Sequence, residues 1–206
     1  MVGPPYDADN MYGWAKLMGE LTLGAYYKDW GLKWASCRYF TGYGPHGVQN
    51  HAVIAMIARA FVKQDQFAVW GNGEQIRNWT YIEDIVRGTI LAAEKIDDGT
   101  AVNLGTMERI KVINAAREVP RYMGHNATIE LHPEMPTGPL NRVADNSLAK
   151  KLLGWESEVM LMDGLHRTID WYVPGKSQER VSASSELMLD KLYQVPSADV
   201  PLLSGS

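Results

Sequence analysis

The sequence is poor in the features that mark secreted, membrane-spanning or nucleic-acid-binding chains. Its one cysteine, Cys37, excludes an internal disulfide framework and favours a reducing cytoplasm. No basic block is present and the formal net charge is −4, so neither nucleic acid nor a membrane surface is an expected partner. The longest apolar stretch, residues 52–62, is interrupted by Arg59 and is too short to span a bilayer. The first residues lack the pattern of a signal peptide, so we expect a cytoplasmic protein.

What is present is the composition of a globular chain, with 46% hydrophobic and 21% charged residues. A length of 206 residues fits one domain of ordinary size, or one and a half. The 5 histidines have no spacing typical of metal ligands, so we predict no metal site.

Helical and strand-like patterns alternate along the chain, which predicts an α/β fold with some parallel strand pairing. The predicted helices cover residues 10–30, 50–64, 83–95, 110–123, 147–153 and 161–172. The predicted strands cover residues 32–40, 100–105 and 128–132. Residues 67–70 and a run ending at Arg77 flank a Gly-Asn-Gly turn and are predicted to form a hairpin. Pro120 should kink or end the fourth helix.

Tyr12 and Lys16 stand four residues apart in the first predicted helix, which places both side chains on one helix face. A nearby ammonium favours the phenolate form of a tyrosine, and a phenolate can take a proton from a substrate hydroxyl. The alternative is a tyrosine packed on the helix beside a solvated lysine. The same spacing recurs at residues 172–176, but a proline and a glycine there break the helix that the geometry requires.

Several motifs follow this pair in a fixed order. They are RYFTGYGP (38–45), WGNGEQIRNWTYIED (70–84), VNLG (102–105), RVAD (142–145) and LGW (153–155). The succession resembles the C-terminal two-thirds of the NAD-dependent nucleotide-sugar epimerases and dehydratases. These are extended members of the short-chain dehydrogenase/reductase superfamily. The resemblance runs from about residue 4 to about residue 173.

The resemblance implies an architecture in three parts. Residues 1–45 would be the remnant of a Rossmann-like doubly wound domain, and residues 46–175 a small α/β nucleotide-sugar-binding region that returns one or two strands to the sheet. Residues 176–206 form a polar tail that we expect to be poorly ordered. In the family, the glycine fingerprint that binds a dinucleotide should precede Tyr12 by well over a hundred residues. The Gly-Asn-Gly of residues 71–73 is not this fingerprint, because it does not follow the required strand and open a helix. We therefore expect the N-terminal dinucleotide-binding half to be absent and this chain to be truncated or split.

The family pattern assigns roles to particular residues. Tyr12 would be the catalytic base, and Lys16 would assist it and hydrogen-bond the nicotinamide ribose, so both also contact NAD. Arginine forks match phosphate oxygens bidentately, and the resemblance places Arg77 and Arg142 on the diphosphate of the substrate. The residue that matches Asp145 helps to hold the nucleoside.

Two further positions, Asn103 and Arg38, are open to two interpretations, and Thr41 departs from the family pattern. Asn103 matches a strand that passes near the nucleotide, but a turn-capping asparagine fits equally well. Thr41 stands where the family usually has a substrate-orienting asparagine, so it keeps a hydroxyl but lacks the paired amide donor and acceptor. Arg38 lies on a predicted strand, where a structural salt bridge is at least as expected as a ligand contact.

These roles predict NAD-dependent epimerisation of a nucleotide-diphosphate hexose, with a homodimer formed through the helix that carries Tyr12 and Lys16. The alternatives are a nucleotide-sugar 4,6-dehydratase and a non-catalytic remnant that binds nucleotide sugar or dimerises. The cofactor would require the missing half, so activity of this chain alone is doubtful.

Overall fold

The computed structural model describes residues 11–138 and 140–183. The helices are α1 Met11–Trp30, α2 Ala52–Phe61, α3 Ile82–Lys95, α4 Val112–Tyr122, α5 Ser147–Leu153 and α6 Leu161–Tyr172. The strands are β1 Trp34–Tyr39, β2 Gly42–Tyr43, β3 Phe67–Trp70, β4 Ile76–Arg77, β5 Thr80–Tyr81, β6 Asp98–Leu104, β7 Ile110–Lys111, β8 Ile129–His132 and β9 Asn141–Arg142.

Parallel pairing dominates the sheets, as the alternating pattern predicts. Strand β1 pairs with β6, β2 with β5 and β3 with β8, each pair parallel. Strand β4 lies between β7, which is antiparallel to it, and β9, which is parallel. The α/β prediction is therefore confirmed.

Two clusters of buried side chains support these sheets. One lies between the β1–β6 pair and helices α3 and α5, and it contains Val102, Leu104 and the fully buried Trp155. The Trp155 ring nitrogen donates to the main-chain oxygen of Asp84 at 2.9 Å, so burial of the ring leaves no unmet donor. The larger cluster draws on α2, α4, α6 and β3, with Phe67 fully buried.

Helix α1 differs from the other helices because none of its residues is buried. Large apolar side chains along it are exposed, among them Met11 at 83% and Trp30 at 72%. A helix that is apolar on several sides is normally covered on several sides. Within the described residues, its main contacts are with β1 and β6.

The predicted hairpin around residues 71–73 is wrong. Strand β3 pairs with β8 instead, and the N–H of Gly71 donates to the oxygen of His132 at 2.7 Å in an isolated antiparallel bridge. Strand β4 finds its partners in β7 and β9. A two-residue strand offers few local hydrogen bonds, so pairing with distant segments prevails over the Gly-Asn-Gly turn signal.

Other differences are smaller. The segment after the strand predicted at residues 32–40 contains a short strand, β2. Pro120 lies in the last turn of α4, which ends at Tyr122, so the predicted end is right to within two residues. Residues 1–10 and 184–206 lie outside the described part, so most of the predicted tail of 176–206 is outside it too. Within the described residues, no helix combines the length and apolarity needed to cross a bilayer.

Candidate active site

Tyr12 and Lys16 lie together near the start of α1. The Lys16 ammonium is 5.2 Å from the centre of the Tyr12 ring, as a separation of one helical turn requires. Both residues are exposed, and the Tyr12 side chain is 71% accessible. The predicted helical geometry is confirmed, while the catalytic roles of the two residues stay predictions.

Arg38 forms the structural salt bridge that was one of its two interpretations. Its guanidinium donates from Nε to the Oε1 atom of Glu20 on α1 at 2.8 Å, and from Nη2 to Oε2. The Ser36 hydroxyl donates to the same Oε1 at 2.7 Å. The Arg38 hydrogen bond is the main reason that the pKa of Glu20 lies below its ordinary value.

Sequence reasoning did not single out Glu20. A signal was nevertheless present, because Glu20 follows Lys16 by four residues and Tyr12 by eight. All three therefore lie along one face of the helix. Glu20 needs a basic partner only if the helix packs against the sheet at that point. Packing of the helix against the sheet is a tertiary feature.

Arg77 and Arg142, predicted to hold a diphosphate, are brought side by side. They are direct register partners in the parallel pairing of β4 with β9. The Arg77 guanidinium donates to the main-chain oxygens of Ile76 at 2.8 Å and of Thr137, which fixes its direction. Partial burial, together with the positive charge of Arg142, lowers the pKa of Arg77. Two arginines on neighbouring strands whose charges interact suit an anion with several oxygens, such as a diphosphate.

Asn103 and Asp145 also meet. The Asn103 amide donates to the main-chain oxygen of Asp145 at 2.8 Å, which is the turn-capping geometry. The Asp145 carboxylate accepts the Ser147 N–H at 2.9 Å at the start of α5, and this backbone hydrogen bond lowers the pKa of Asp145. The main-chain contact leaves the exposed Asp145 carboxylate with further acceptor capacity. Its predicted contact with a nucleoside stays a prediction.

Thr41 follows β1 and exposes its side chain, while its main-chain oxygen accepts the Thr80 N–H at 2.9 Å. Beneath it lies a buried polar network that sequence reasoning missed. The Thr80 hydroxyl accepts the Thr106 N–H at 3.0 Å, and the Asn78 amide donates to the Thr106 oxygen at 2.9 Å. This network joins the segment after Arg77 to the segment of Thr41, so it fixes the spacing of two predicted substrate residues. The polar residues directly after Arg77 in the motif were the available signal.

The predicted residues thus form three pairs: Tyr12 with Lys16 on α1, Arg77 with Arg142 on neighbouring strands, and Asn103 with Asp145 beside α5. The part of the chain that the structure describes contains no group of three or more His, Cys, Asp or Glu side chains arranged to hold a metal ion. The chemistry available is proton transfer at a phenol and recognition of an anion.

Residues 2–105, half of the chain, match the model of the NAD dependent epimerase/dehydratase family. The chain belongs to this family. GDP-mannose 3,5-epimerase of Arabidopsis thaliana is 30% identical over 206 residues, which is 98% of this chain and 54% of that protein. UDP-glucuronate 4-epimerase of Thermodesulfobacterium geofontis is 33% identical over 176 residues, or 82% of this chain and 54% of that protein.

Solved structures of epimerases share the fold. UDP-glucose 4-epimerase of Thermotoga maritima, crystallised with UDP-glucose, has a TM-score of 0.72 at 30% identity and aligns 78% of this chain with 52% of its own. UDP-glucuronic acid 4-epimerase of Bacillus cereus, with UDP-glucuronic acid and NAD, has a TM-score of 0.70 at 30% identity and aligns 82% with 57%. This epimerase/dehydratase-family chain therefore spans about half the length of the relatives it matches.

Proposed function

We propose that this chain supplies the catalytic base and the nucleotide-sugar site of an NAD-dependent nucleotide-sugar epimerase. The observation that carries the proposal is the pair of guanidinium groups of Arg77 and Arg142, which are register partners on neighbouring strands. A nucleotide sugar presents two linked phosphates, and the repulsion between two adjacent cations falls when an anion lies between them. The relatives named as epimerases of GDP- and UDP-sugars support the same substrate class.

In this proposal Tyr12 acts as the base. Its phenolate takes the proton of a sugar hydroxyl, and Lys16 stabilises that phenolate from the same helix face. NAD, when bound, supplies the acceptor and the donor of hydride. The donor set fits that cofactor, because the exposed Lys16 ammonium carries three N–H groups that can bond ribose hydroxyls. After the keto-sugar has turned, Tyr12 returns the proton to the sugar oxygen. The carbon would be inverted because the hydride returns to its opposite face.

Two other functions remain candidates for specific reasons. A dehydratase would use the same base but needs an additional acid/base pair, and we assign none among the residues of this chain. The dTDP-glucose 4,6-dehydratase of Bacillus anthracis has a TM-score of 0.74 at 20% identity, a likeness that concerns the fold alone. A non-catalytic chain that binds nucleotide sugar would keep Arg77 and Arg142 and leave Tyr12 idle.

We further propose a homodimer formed through α1, in the cytoplasm. The support is physical: α1 has no buried residue, and its exposed apolar side chains include Met18 at 56% and Leu21 at 46%. Covering such a surface is favourable by about 25 cal/mol for each Å² of apolar area. A boundary between a Rossmann-like part, residues 1–45, and a substrate-binding part, residues 46–175, is part of the same proposal.

Calorimetric titration with UDP-, GDP- and dTDP-sugars tests the substrate class. Binding of at least one of them, without NAD, is the expected result, and binding of none would contradict the proposal. Titration with NAD separates the two sites, because the sequence contains no glycine fingerprint in the required context. We expect no measurable NAD affinity for this chain alone, and tight binding would show that expectation to be wrong.

A further inference from the structure

We propose that Glu20 and Arg38 are positioning residues. Their ion pair holds α1, the helix that carries Tyr12, at a fixed rotation and distance from β1, the strand that leads to the predicted substrate residues. This inference rests on the proposed function for the meaning of that position. The Glu20–Arg38 pair, with its Ser36 contact, is called the clamp below.

The first part of the argument is the geometry at the helix. Tyr12, Lys16 and Glu20 follow one another at intervals of four residues along one face of α1. Both oxygens of the Glu20 carboxylate are engaged by Arg38, one through Nε at 2.8 Å and the other through Nη2. A bidentate fork fixes an angle as well as a distance, whereas a single contact leaves the helix free to turn. The Ser36 hydroxyl at 2.7 Å adds a third fixed direction.

The second part is what lies at the other end of the clamp. Arg38 is the register partner of Asn103 in the parallel β1–β6 pair. The Asn103 amide in turn holds the main-chain oxygen of Asp145. Thr41 follows Arg38 by only three residues. The clamp therefore joins α1 to a segment that leads to three predicted substrate residues. Asn103 is reached through strand pairing, Asp145 through the Asn103 amide, and Thr41 along the chain.

The third part is that α1 has little else to hold it. None of its residues is buried, so apolar packing within the described chain fixes it weakly. The clamp itself is shielded, with side chains that are 21% exposed for Glu20 and 28% for Arg38. Shielding makes this pair stronger than a surface ion pair. A helix advances about 1.5 Å per residue, and a misplacement of about 1 Å can cost about 100-fold in rate.

The test compares Glu20→Gln with Asp29→Asn in the full 206-residue chain. Both changes remove one carboxylate from α1, but Asp29 is exposed and lies outside the clamp. Hydrogen exchange of residues 11–30 should rise about tenfold in Glu20→Gln, from the loss of a charged hydrogen bond, and stay unchanged in Asp29→Asn. Arg38→Lys keeps the charge but not the fork, and should give an intermediate rise.

Calorimetry then separates positioning from simple support of the fold. We expect UDP-glucose or GDP-mannose to bind the wild-type chain more tightly than UDP or GDP, because a held α1 brings Tyr12 and Lys16 to the sugar. Glu20→Gln should abolish that sugar-dependent gain and leave the affinity for the free nucleotide unchanged. The double variant with Glu20→Arg and Arg38→Glu restores opposite charges and should recover part of the gain.

Each outcome decides the matter. If the wild-type chain shows no sugar-dependent gain, or if Glu20→Gln keeps it, the positioning role is overturned while the proposed function stands. If no nucleotide or nucleotide sugar binds, the proposed function fails, and the clamp is then tested by hydrogen exchange alone. Unchanged exchange in residues 11–30 would then overturn it.

Discussion

Replacing Arg142 by glutamine should weaken nucleotide-sugar binding without weakening the fold. Arg142 is exposed on β9 and is the register partner of Arg77. The pKa of Arg77 is lowered by burial and, to a smaller extent, by the charge of Arg142. Removing the charge therefore relieves a repulsion that no bound anion offsets in the unliganded chain. Because exposed charge pairs are strongly screened, the free energy of unfolding should stay constant or rise by a few tenths of a kcal/mol, about the size of a surface pair.

The loss in the bound state is larger and has the opposite sign. A hydrogen bond to a charged group contributes about 1.5–3 kcal/mol, so the Kd for the nucleotide sugar should rise by about 10- to 150-fold. Ligand at about 100 times the wild-type Kd stabilises the wild-type chain by about 2.7 kcal/mol. At the same concentration the variant should retain only about 0.3–1.4 kcal/mol of that stabilisation.

Chemical denaturation with and without ligand, together with calorimetry, measures both quantities on one sample. The matched control is Arg117→Gln, which removes an exposed arginine from α4. The reasoning is refuted if Arg142→Gln loses no more ligand-dependent stability than Arg117→Gln. It is also refuted if the unliganded variant is less stable by more than about 1 kcal/mol, since that is more than an exposed side chain usually contributes.

Other predictions concern the base, the core and the response to acid. Tyr12→Phe should abolish turnover in an enzyme completed by a dinucleotide-binding half and leave nucleotide-sugar affinity nearly intact; retained turnover would remove Tyr12 from its role. Asp84 is 2% exposed, and its Oδ2 accepts the N–H groups of Glu158 and Val159 at 3.0 Å each, so Asp84→Ala should cost about 3–5 kcal/mol in urea denaturation. A loss below about 1 kcal/mol would contradict that account. The folded pKa of Glu20 lies below its ordinary value of 4.5, so its ion pair stabilises α1 above that value and is lost as pH falls through the folded pKa. Hydrogen exchange of α1 should accelerate there in the wild type but not in Glu20→Gln.

Local patterns were enough to place the bounds of three helices. Helices α5 and α6 have the predicted bounds, and α3 begins one residue before the predicted start. Their apolar residues repeat with the helical period and face a core, so periodicity and packing agree. The Tyr12–Lys16 geometry follows for the same reason, since both residues belong to one helix and their separation is set by its pitch.

The short strands could not be predicted in this way. Strands β2, β4, β5, β7 and β9 each contain two residues, which is too few to show a period. Their pairing depends on segments far away in the chain, as the failed hairpin shows. Strand pairing also makes Arg77 and Arg142 neighbours, although Arg142 follows Arg77 by 65 positions in the sequence (142 − 77 = 65).

By itself the sequence determined the α/β class, the family resemblance, the helical placement of Tyr12 and Lys16, and the residue types of the proposed substrate site, because each depends on order and local period. Only the tertiary structure decided which of these residues meet. It joined Arg77 to Arg142 across a sheet, showed Asn103 as a cap on the Asp145 loop, and tied the helix of Tyr12 to β1 through Glu20 and Arg38. The physical reason is that such contacts join the surfaces of separate elements. The local sequence of one element does not specify which surface of another element will pack against it.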